Sequence, residues 1–565
     1  MKIPITNLYT QNAMAQAIPN AEFNRETRWW ELDLDEATAR DAMVALKLFP
    51  ELAVDFPELI DLQQTIVQEM RPFDNATPFD TRIEDNVVSA MMAEEGKEYY
   101  DFQALDLGYL KAVMEAHGGG YLGWERGMGK TIGALSLADV LDTREDDRDI
   151  LIVAPNSAKG TVWYPEVEKC FGSTHHVKLL PNAKAKREYA LQQVLEWKED
   201  GEYPVVLIVH YEALKIIAEG GWVPGRRGKP LANKSGWEKL GKWKLIIADE
   251  VHRIKNLRAQ MTKALKKIQA HYKLGLSGSI IQNNVEELFS PLNWLFPKQY
   301  KSKWRDWNDR FLDYVEGGYA KVFVGILPDM LESLRAELGV FMVYRRKEDE
   351  LDMPERVDED VLLELTPKQR KHYDELVAGC LTQLDDDTFV VADEGLPMLT
   401  KLRQIATGLD LLGGVADSSK LDFAAELVAD NPDEQFVVFS WFKDACEALA
   451  DRLADGESTI VHGDVTQTRR DERIREFMEG EKRVLICTIA TMGESQNFQN
   501  ANNVIFLDRS WNPSDNAQAT DRVYRLGQEK KVTITHLIAK NTVDERRVSP
   551  VTLTKSVLRA ILLGG

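Results

Sequence analysis

The chain is expected to fold as an α/β protein built on two tandem, doubly wound parallel sheets, and three stretches lead to that expectation. At residues 120–131, GYLGWERGMGKT, a short apolar run breaks into a glycine turn, and the helix-forming ALSLADVL follows. From about residue 95 to 280, apolar runs (YLGW, ILIVAP, VVLIVHY, KLIIADE) alternate with helical stretches. The alternation resumes from about 418 with FVVFSW, STIVHG, VLICTI, VIFLD and VTITHLI. Runs apolar at every position and separated by helices are the pattern of strands buried on both faces of a parallel sheet.

Taken in order, residues 1–95 carry no nucleotide motif and read as a small α+β accessory module. FNRETRWWELDLDEATARDAMVALKLFPEL suggests an aromatic strand or hairpin, then an amphipathic helix. Trp29 and Trp30 either pack in a small core or stack on unpaired bases. Residues 96–285 form the first α/β lobe. In its glycine turn the backbone amides of Gly127, Met128 and Gly129 can close around phosphate oxygens, with the Lys130 ammonium neutralising charge and the Thr131 hydroxyl able to ligate Mg²⁺. Strict phosphate-loop spacing wants a glycine where Trp124 stands, and a plain strand–helix connection is the bland alternative. KLIIADEVH is the second anchor: a buried strand ending in Asp249-Glu250 delivers two carboxylates to the sheet edge where α/β folds bind ligands. Asp249 suits Mg²⁺ and Glu250 suits orienting a water; an acidic helix cap is the alternative for an isolated Asp-Glu, and the shared α/β unit with Lys130 favours the site. Residues 286–415 break the alternation and read as helical protrusions and a linker, with Trp294, Trp304, Trp307, Tyr314 and a basic RRK at 345–347. Residues 416–565 form the second lobe.

Net charge −21 argues against simple wrapping of nucleic acid, yet residues 244–273 carry eight Lys or Arg against two carboxylates, so a basic face can coexist with an acidic whole. No apolar run reaches the roughly 18–20 residues of a membrane span, and the amino terminus MKIPITNLYTQN lacks an apolar signal core, so a cytoplasmic protein without membrane contact is expected. Cys170, Cys380, Cys446 and Cys487 lie far apart without a CxxC pair, and are expected to be buried thiols, not disulfides or zinc ligands.

With these anchors placed, the remaining blocks resemble, in order, the motifs of the Swi/Snf-type DNA translocases, a branch of the superfamily-two helicase-like ATPases, over roughly residues 97–565. YYDFQALDLGYL resembles the adenine-sensing block, with Gln103 as the base-recognising glutamine, and WERGMGKT resembles the family's phosphate loop. APNSAKGTVWYPEV and VHYEAL look like first-lobe blocks that track the DNA backbone. DEVHRIKN resembles the Mg²⁺ and base motif, and leads into Lys255 and Asn256 as candidate DNA contacts. LGLSGSIIQNNVEELFSPLNWLFP resembles the coupling block, with Ser277, Gly278, Ser279 and Gln282 as its members; Ser279 and Ile280 stand where Thr and Pro are usual. WNPSDNAQATDRVYRLGQ resembles the second-lobe block in which Arg522 and Arg525 are arginine fingers and Gln518 lies close to the nucleotide. Three residues apart, the two guanidiniums are expected to share one helical face. The glycine-rich block before VIFLD is here TIATMGESQNFQNAN, about one residue longer than usual, with Ser495 and Asn497 as candidate DNA contacts. Residues 1–95 are similar to the small aromatic module preceding the motor in annealing-helicase relatives.

The resemblance implies RecA-like lobes, ATP and Mg²⁺ as cofactors, double-stranded or forked DNA as partner, and a monomer that couples hydrolysis to movement along DNA. A strand-separating helicase and a nucleotide-binding DNA scaffold without a productive cycle are the alternatives.

Overall fold

The computed structural model describes residues 82–545 apart from 143–146, 220–235, 279–284, 302–303, 317–320, 380, 384–388, 392–395, 414–415, 492–497 and 526, together with 2–6, 18, 20–24, 27–34, 52, 56 and 58. The chain divides into two compact units, one comprising Pro72–Asp313 and Ile326–Leu351, the other Met1–Arg71, Tyr314–Gly325 and Asp352–Gly565.

The first unit is built on a seven-stranded sheet whose strands run, in spatial order, Met342–Val343, Gly119–Leu122, Ala270–Leu276, Trp243–Asp249, Ile150–Ala154, Val205–His210 and His176–Leu179. Every neighbouring pair is parallel. Ile150–Ala154 and Val205–His210 are buried at every position, which is why their sequences show no polar alternation. Helix Asp101–His117 leads into the sheet, and Lys130–Val140 and Lys184–Asp200 carry the chain between its strands. The first of these ends at Gly118 with φ +80°, the left-handed conformation a glycine cap provides.

Six parallel strands form the sheet of the second unit, in the order Arg356–Leu363, Val532–Ala539, Asn503–Phe506, Phe436–Ser440, Val484–Thr488 and Ser458–Val461. Alternate residues feed separate cores. Val437, Phe439, Leu485, Cys487, Val504 and Phe506 pack on one side, and Phe436, Val438, Val484, Ile486 and Ile505 on the other. Two apolar layers sandwiching one sheet make this, too, a doubly wound α/β body. The linker reading of residues 286–415 needs an addition: that stretch also supplies an edge strand to each sheet, Met342–Val343 to the first and Arg356–Leu363 to the second.

Near the amino terminus, Lys2–Thr6, Trp29–Asp33 and Ala21–Asn24 form a three-stranded antiparallel sheet with the central strand last in sequence. Trp30 sits opposite Phe23 with ring centroids 5.7 Å apart, so it pairs across the strands. The amphipathic helix expected after this sheet lies outside the described residues. Cys170, Cys446 and Cys487 are buried free thiols, and burial pushes Cys170 up to about 11; Cys380 lies outside the described residues. No helix among the described residues is long and apolar enough to cross a membrane.

Trp124 explains why glycine is missing at its position. Its side chain is fully buried, edge-on to Phe102 at 5.5 Å, and its indole N–H donates to Asp106 at 2.8 Å. A Cβ on Gly133 would lie 3.0 Å from the indole, so the helix after the loop is packed directly onto this ring. Asp106, itself fully buried, also accepts two hydrogen bonds from Arg345, at 2.8 and 3.0 Å. Trp124→Ala is therefore expected to destabilise the first unit by about 3–5 kcal/mol, measured by chemical denaturation.

Candidate active site

Three adjacent strands of the first sheet, Gly119–Leu122, Ala270–Leu276 and Trp243–Asp249, point their carboxyl ends the same way, and each is followed by a motif singled out in the sequence. The glycine loop follows the first, Ser277 and Gly278 the second, and Glu250 the third. Their strand ends are neighbours, so residues far apart in sequence converge. Gly127 and Gly129 take φ of +84° and +85°, which L side chains rarely adopt. Gly129 is the N-cap of helix Lys130–Val140, whose first amides have no intrahelical acceptor and form an anion-binding end beside Lys130 and Thr131. Gln103 closes on the loop: its amide donates to the Met128 carbonyl at 3.0 Å and accepts from the Tyr100 N–H at 3.0 Å. A Cβ on Gly129 would come within 2.9 Å of that amide nitrogen.

The Lys130 ammonium donates to the carbonyls of Trp124 and Glu125 at 2.9 and 3.0 Å, bridging the base of the loop. Arg126, from the same loop, donates to Glu250 at 3.2 Å. The other Glu250 oxygen accepts from the Ser277 hydroxyl at 3.1 Å, and Ser277 and His252 are 2.9 Å apart. Burial alone would raise the Glu250 pKa, but Arg126, His252 and Lys130 outweigh it and hold the carboxyl well below the usual carboxylate range. Glu250 thus stays ionised in a nearly dry position, poised to accept a hydrogen bond from a water. Its backbone is left-handed, φ +50°. Gly278 closes the arrangement: a Cβ there would lie 3.0 Å from the Trp124 carbonyl oxygen and 3.1 Å from Glu125 Cα.

Asp249 is oriented from three directions. One carboxylate oxygen accepts from the Trp163 indole at 2.9 Å, the other from the Glu250 N–H at 3.0 Å, and its carbonyl accepts from the Tyr211 hydroxyl at 2.6 Å. Among the described residues no group of three or more His, Cys, Asp or Glu could hold a metal ion. The donors the sequence suggested for a metal at this edge, the Asp249 carboxylate and the Thr131 hydroxyl, are too few to enclose one by themselves. Such a sparse, all-oxygen donor set fits Mg²⁺, which keeps several waters and takes substrate phosphate oxygens.

Arg522, Arg525 and Gln518 belong to the second unit. Gln518 lies half-buried on helix Pro513–Thr520. The expectation that the two arginines share a helical face is corrected: the helix ends at Thr520, and the chain continues as turns, with Arg522 N–H donating to Ala519 and Gln528 N–H to Arg525. The Gln528 amide donates to the carbonyls of Gln499, Ala501 and Val523, and Gly527 takes φ +93°, so this turn is pinned where a helix would have continued. Burial lowers the Arg525 pKa against the pull of Asp521. At the carboxyl edge of the same sheet, Asp508 accepts from the Ser440 hydroxyl at 2.6 Å and the Trp441 N–H at 2.8 Å, with Arg403 3.5 Å away. Burial nevertheless raises the pKa of Asp508.

Of the proposed DNA contacts, Lys255 pairs with Glu287 at 2.9 Å, and the exposed Asn256 side chain accepts from the Arg258 N–H, closing a turn. Ser279, Gln282, Ser495 and Asn497 lie outside the described residues. Sequence reasoning missed Arg126, His252, Trp163 and Tyr211. All four fall inside blocks it had delimited, but their role comes from partners on other strands, which no local spacing announces.

Residues 62–411 match the SNF2-related domain and residues 419–527 the helicase conserved C-terminal domain. A Bacillus subtilis protein provisionally named an ATP-dependent helicase/translocase is 25% identical over 468 residues, covering 79% of this chain and 46% of that one. The human SWI/SNF-related matrix-associated actin-dependent regulator of chromatin subfamily A member 1 is 26% identical over 475 residues, 80% of this chain and 42% of that one. An ISWI chromatin-remodeling complex ATPase of Saccharomyces cerevisiae is 25% identical over 497 residues, 83% and 41%. The chain thus spans less than half the length of each of these relatives. Among solved structures, the Sulfolobus solfataricus SWI2/SNF2 ATPase core in complex with dsDNA aligns with a TM-score of 0.37 at 23% identity, covering 79% of this chain and 89% of that one.

Because backbone surrounds the Gly278 Cα, Gly278→Ala is expected to force the loop away from the strand end and to cost about 1–3 kcal/mol of stability, read by thermal or urea unfolding.

Proposed function

The chain belongs to the SNF2-related family, and on that premise we propose that it is a DNA-dependent ATPase that couples hydrolysis to movement along double-stranded DNA. One observation carries the reading: the glycine loop, the Asp249-Glu250 pair and Ser277-Gly278 stand on three neighbouring strands, with Glu250 hydrogen-bonded to both of the other motifs. ATP is the substrate, its phosphates taken by the amides of Gly127, Met128 and Gly129 and by Lys130, which exchanges loop carbonyls for phosphate oxygens. Gln103 adds recognition at the base. Mg²⁺, held by Thr131 and Asp249, neutralises phosphate charge. Glu250 accepts a proton-side hydrogen bond from the attacking water and orients it. Ser277 and Gly278, with Ser279 and Gln282, transmit the state of that carboxylate to the rest of the unit. Arg522 and Arg525 act as finger arginines, with Gln518 near the nucleotide.

The DNA half of the proposal draws support from the relatives, named as a helicase/translocase, a regulator of chromatin and a chromatin-remodeling ATPase. Lys255, Asn256, Ser495 and Asn497 are the proposed contacts, made to phosphates and so independent of sequence and sensitive to salt. Residues 96–285 and 416–565 serve as the motor lobes, 286–415 as protrusions and linker, and 1–95 as an accessory module for duplex or forked DNA.

Phosphate release measured with duplex, single-stranded and forked DNA tests the reading. The parent chain should be stimulated by duplex, and Glu250→Gln should bind ATP while turning over about 10²–10⁴-fold more slowly. ATP binding without stimulated hydrolysis would favour a scaffold, and release of a labelled strand a helicase. Arg126→Met removes a charge that lowers the Glu250 pKa, so the carboxylate ionises only at higher pH. The acid limb of the turnover–pH profile should move to higher pH.

A further inference from the structure

We infer that Trp163 is a positioning residue for the metal ligand Asp249, fixing the carboxylate so that it meets Mg²⁺ in one orientation. The inference rests on the Mg²⁺–nucleotide site proposed above. Trp163 is fully buried and its indole N–H donates to one Asp249 oxygen at 2.9 Å, while the backbone N–H of Glu250 takes the other at 3.0 Å. With both oxygens engaged, rotation of the carboxylate about its bond to Cβ breaks two hydrogen bonds at once. Indole is a donor only, so it cannot itself become a ligand or accept a proton from a metal-bound water. An N–H donor to an ionised carboxylate is among the stronger hydrogen bonds a buried site contains.

The local chain geometry is shaped to deliver that N–H. Trp163 closes a widened turn, Lys159–Trp163, in which its backbone N–H reaches Ala158, five residues back, at 3.1 Å. Such a turn carries one residue more than an α-helical turn and re-aims the side chain that follows. Its other end is anchored by the buried Lys159, whose ammonium donates to the Leu180 carbonyl at 2.9 Å and the Asn182 side chain at 2.6 Å and lies 3.3 Å from His210. At the start of helix Tyr211–Glu219, which follows the next strand, the fully buried Tyr211 holds the Asp249 carbonyl at 2.6 Å. Segments following two neighbouring strands thus grip one residue by its side chain and its main chain. Hydrogen-bonding partners behind a metal ligand are worth about 10–100-fold in metal affinity.

The test titrates Mg²⁺ against a fluorescent ATP analogue bound to the full chain, and measures the same analogue in EDTA. Trp163→Phe deletes the N–H and keeps a ring. It should raise the half-saturating Mg²⁺ concentration about tenfold or more, with metal-free nucleotide affinity within about twofold of the parent. Trp163→His, which retains a ring N–H, should recover part of the loss, and Trp163→Phe should add nothing further in an Asp249→Asn background. An unchanged Mg²⁺ midpoint in Trp163→Phe, equal effects of Phe and His, or a fall in metal-free affinity as large as the fall with Mg²⁺ would overturn the inference. A parent chain that binds the analogue with no Mg²⁺ dependence would instead overturn the proposed site, and the inference with it.

Discussion

A carboxylate withdrawn from water has to be neutralised where it lies, and Glu250 imposes that requirement at the edge of the first sheet. Desolvating a lone carboxylate costs several kcal/mol, more than a single distant charge returns. The chain answers with Arg126 from the glycine loop, His252 from the following turn and the Ser277 hydroxyl from the adjacent strand. Each partner is recruited from a different segment, so the charge requirement becomes a geometric one: loop, turn and strand end must arrive together. The left-handed backbone at Glu250 belongs to the same constraint, because it bends the chain toward its partners at a cost of about 1–2 kcal/mol.

The second sheet carries a buried acid of its own, with the opposite outcome. Asp508 is almost fully enclosed, accepts from a hydroxyl and a backbone amide, and has Arg403 at 3.5 Å. Burial dominates there and raises the pKa, while at Glu250 the neighbouring cations dominate and lower it. The Arg403 guanidinium also donates to the Arg509 carbonyl at 2.6 Å, dividing its attention between backbone and carboxylate. At Glu250 the cations outweigh desolvation; at Asp508 desolvation outweighs Arg403, the Ser440 hydroxyl and Lys420.

The doubly wound sheets, the glycine loop and the Asp249-Glu250 pair are all legible in the sequence, because each is encoded in a contiguous stretch. Strands buried on both faces show as unbroken apolar runs, and a loop that needs positive φ shows as Gly127 and Gly129. Trp124 was visible only as a departure from the usual spacing. Its meaning lies in Asp106, Phe102 and Gly133, which surround it in space. Arg126, Trp163 and Tyr211 were hidden for the same reason, since a hydrogen bond between ends of neighbouring strands leaves no periodicity. The turn carrying Arg522 and Arg525 reads as helix in the sequence because two of the three carbonyls that Gln528 grips, those of Gln499 and Ala501, are distant along the chain.

Arg345 follows Asp106 by 239 residues, and its guanidinium donates to both oxygens of that carboxylate, sharing one of them with the Trp124 indole. During synthesis a ribosome therefore releases the glycine loop long before the residue that locks its foundation. Until the stretch through Arg345 has emerged, Asp106 lacks one of the two groups that hydrogen-bond it in the folded unit. A fragment of this half that ends before Arg345 leaves Asp106 without either of its guanidinium hydrogen bonds.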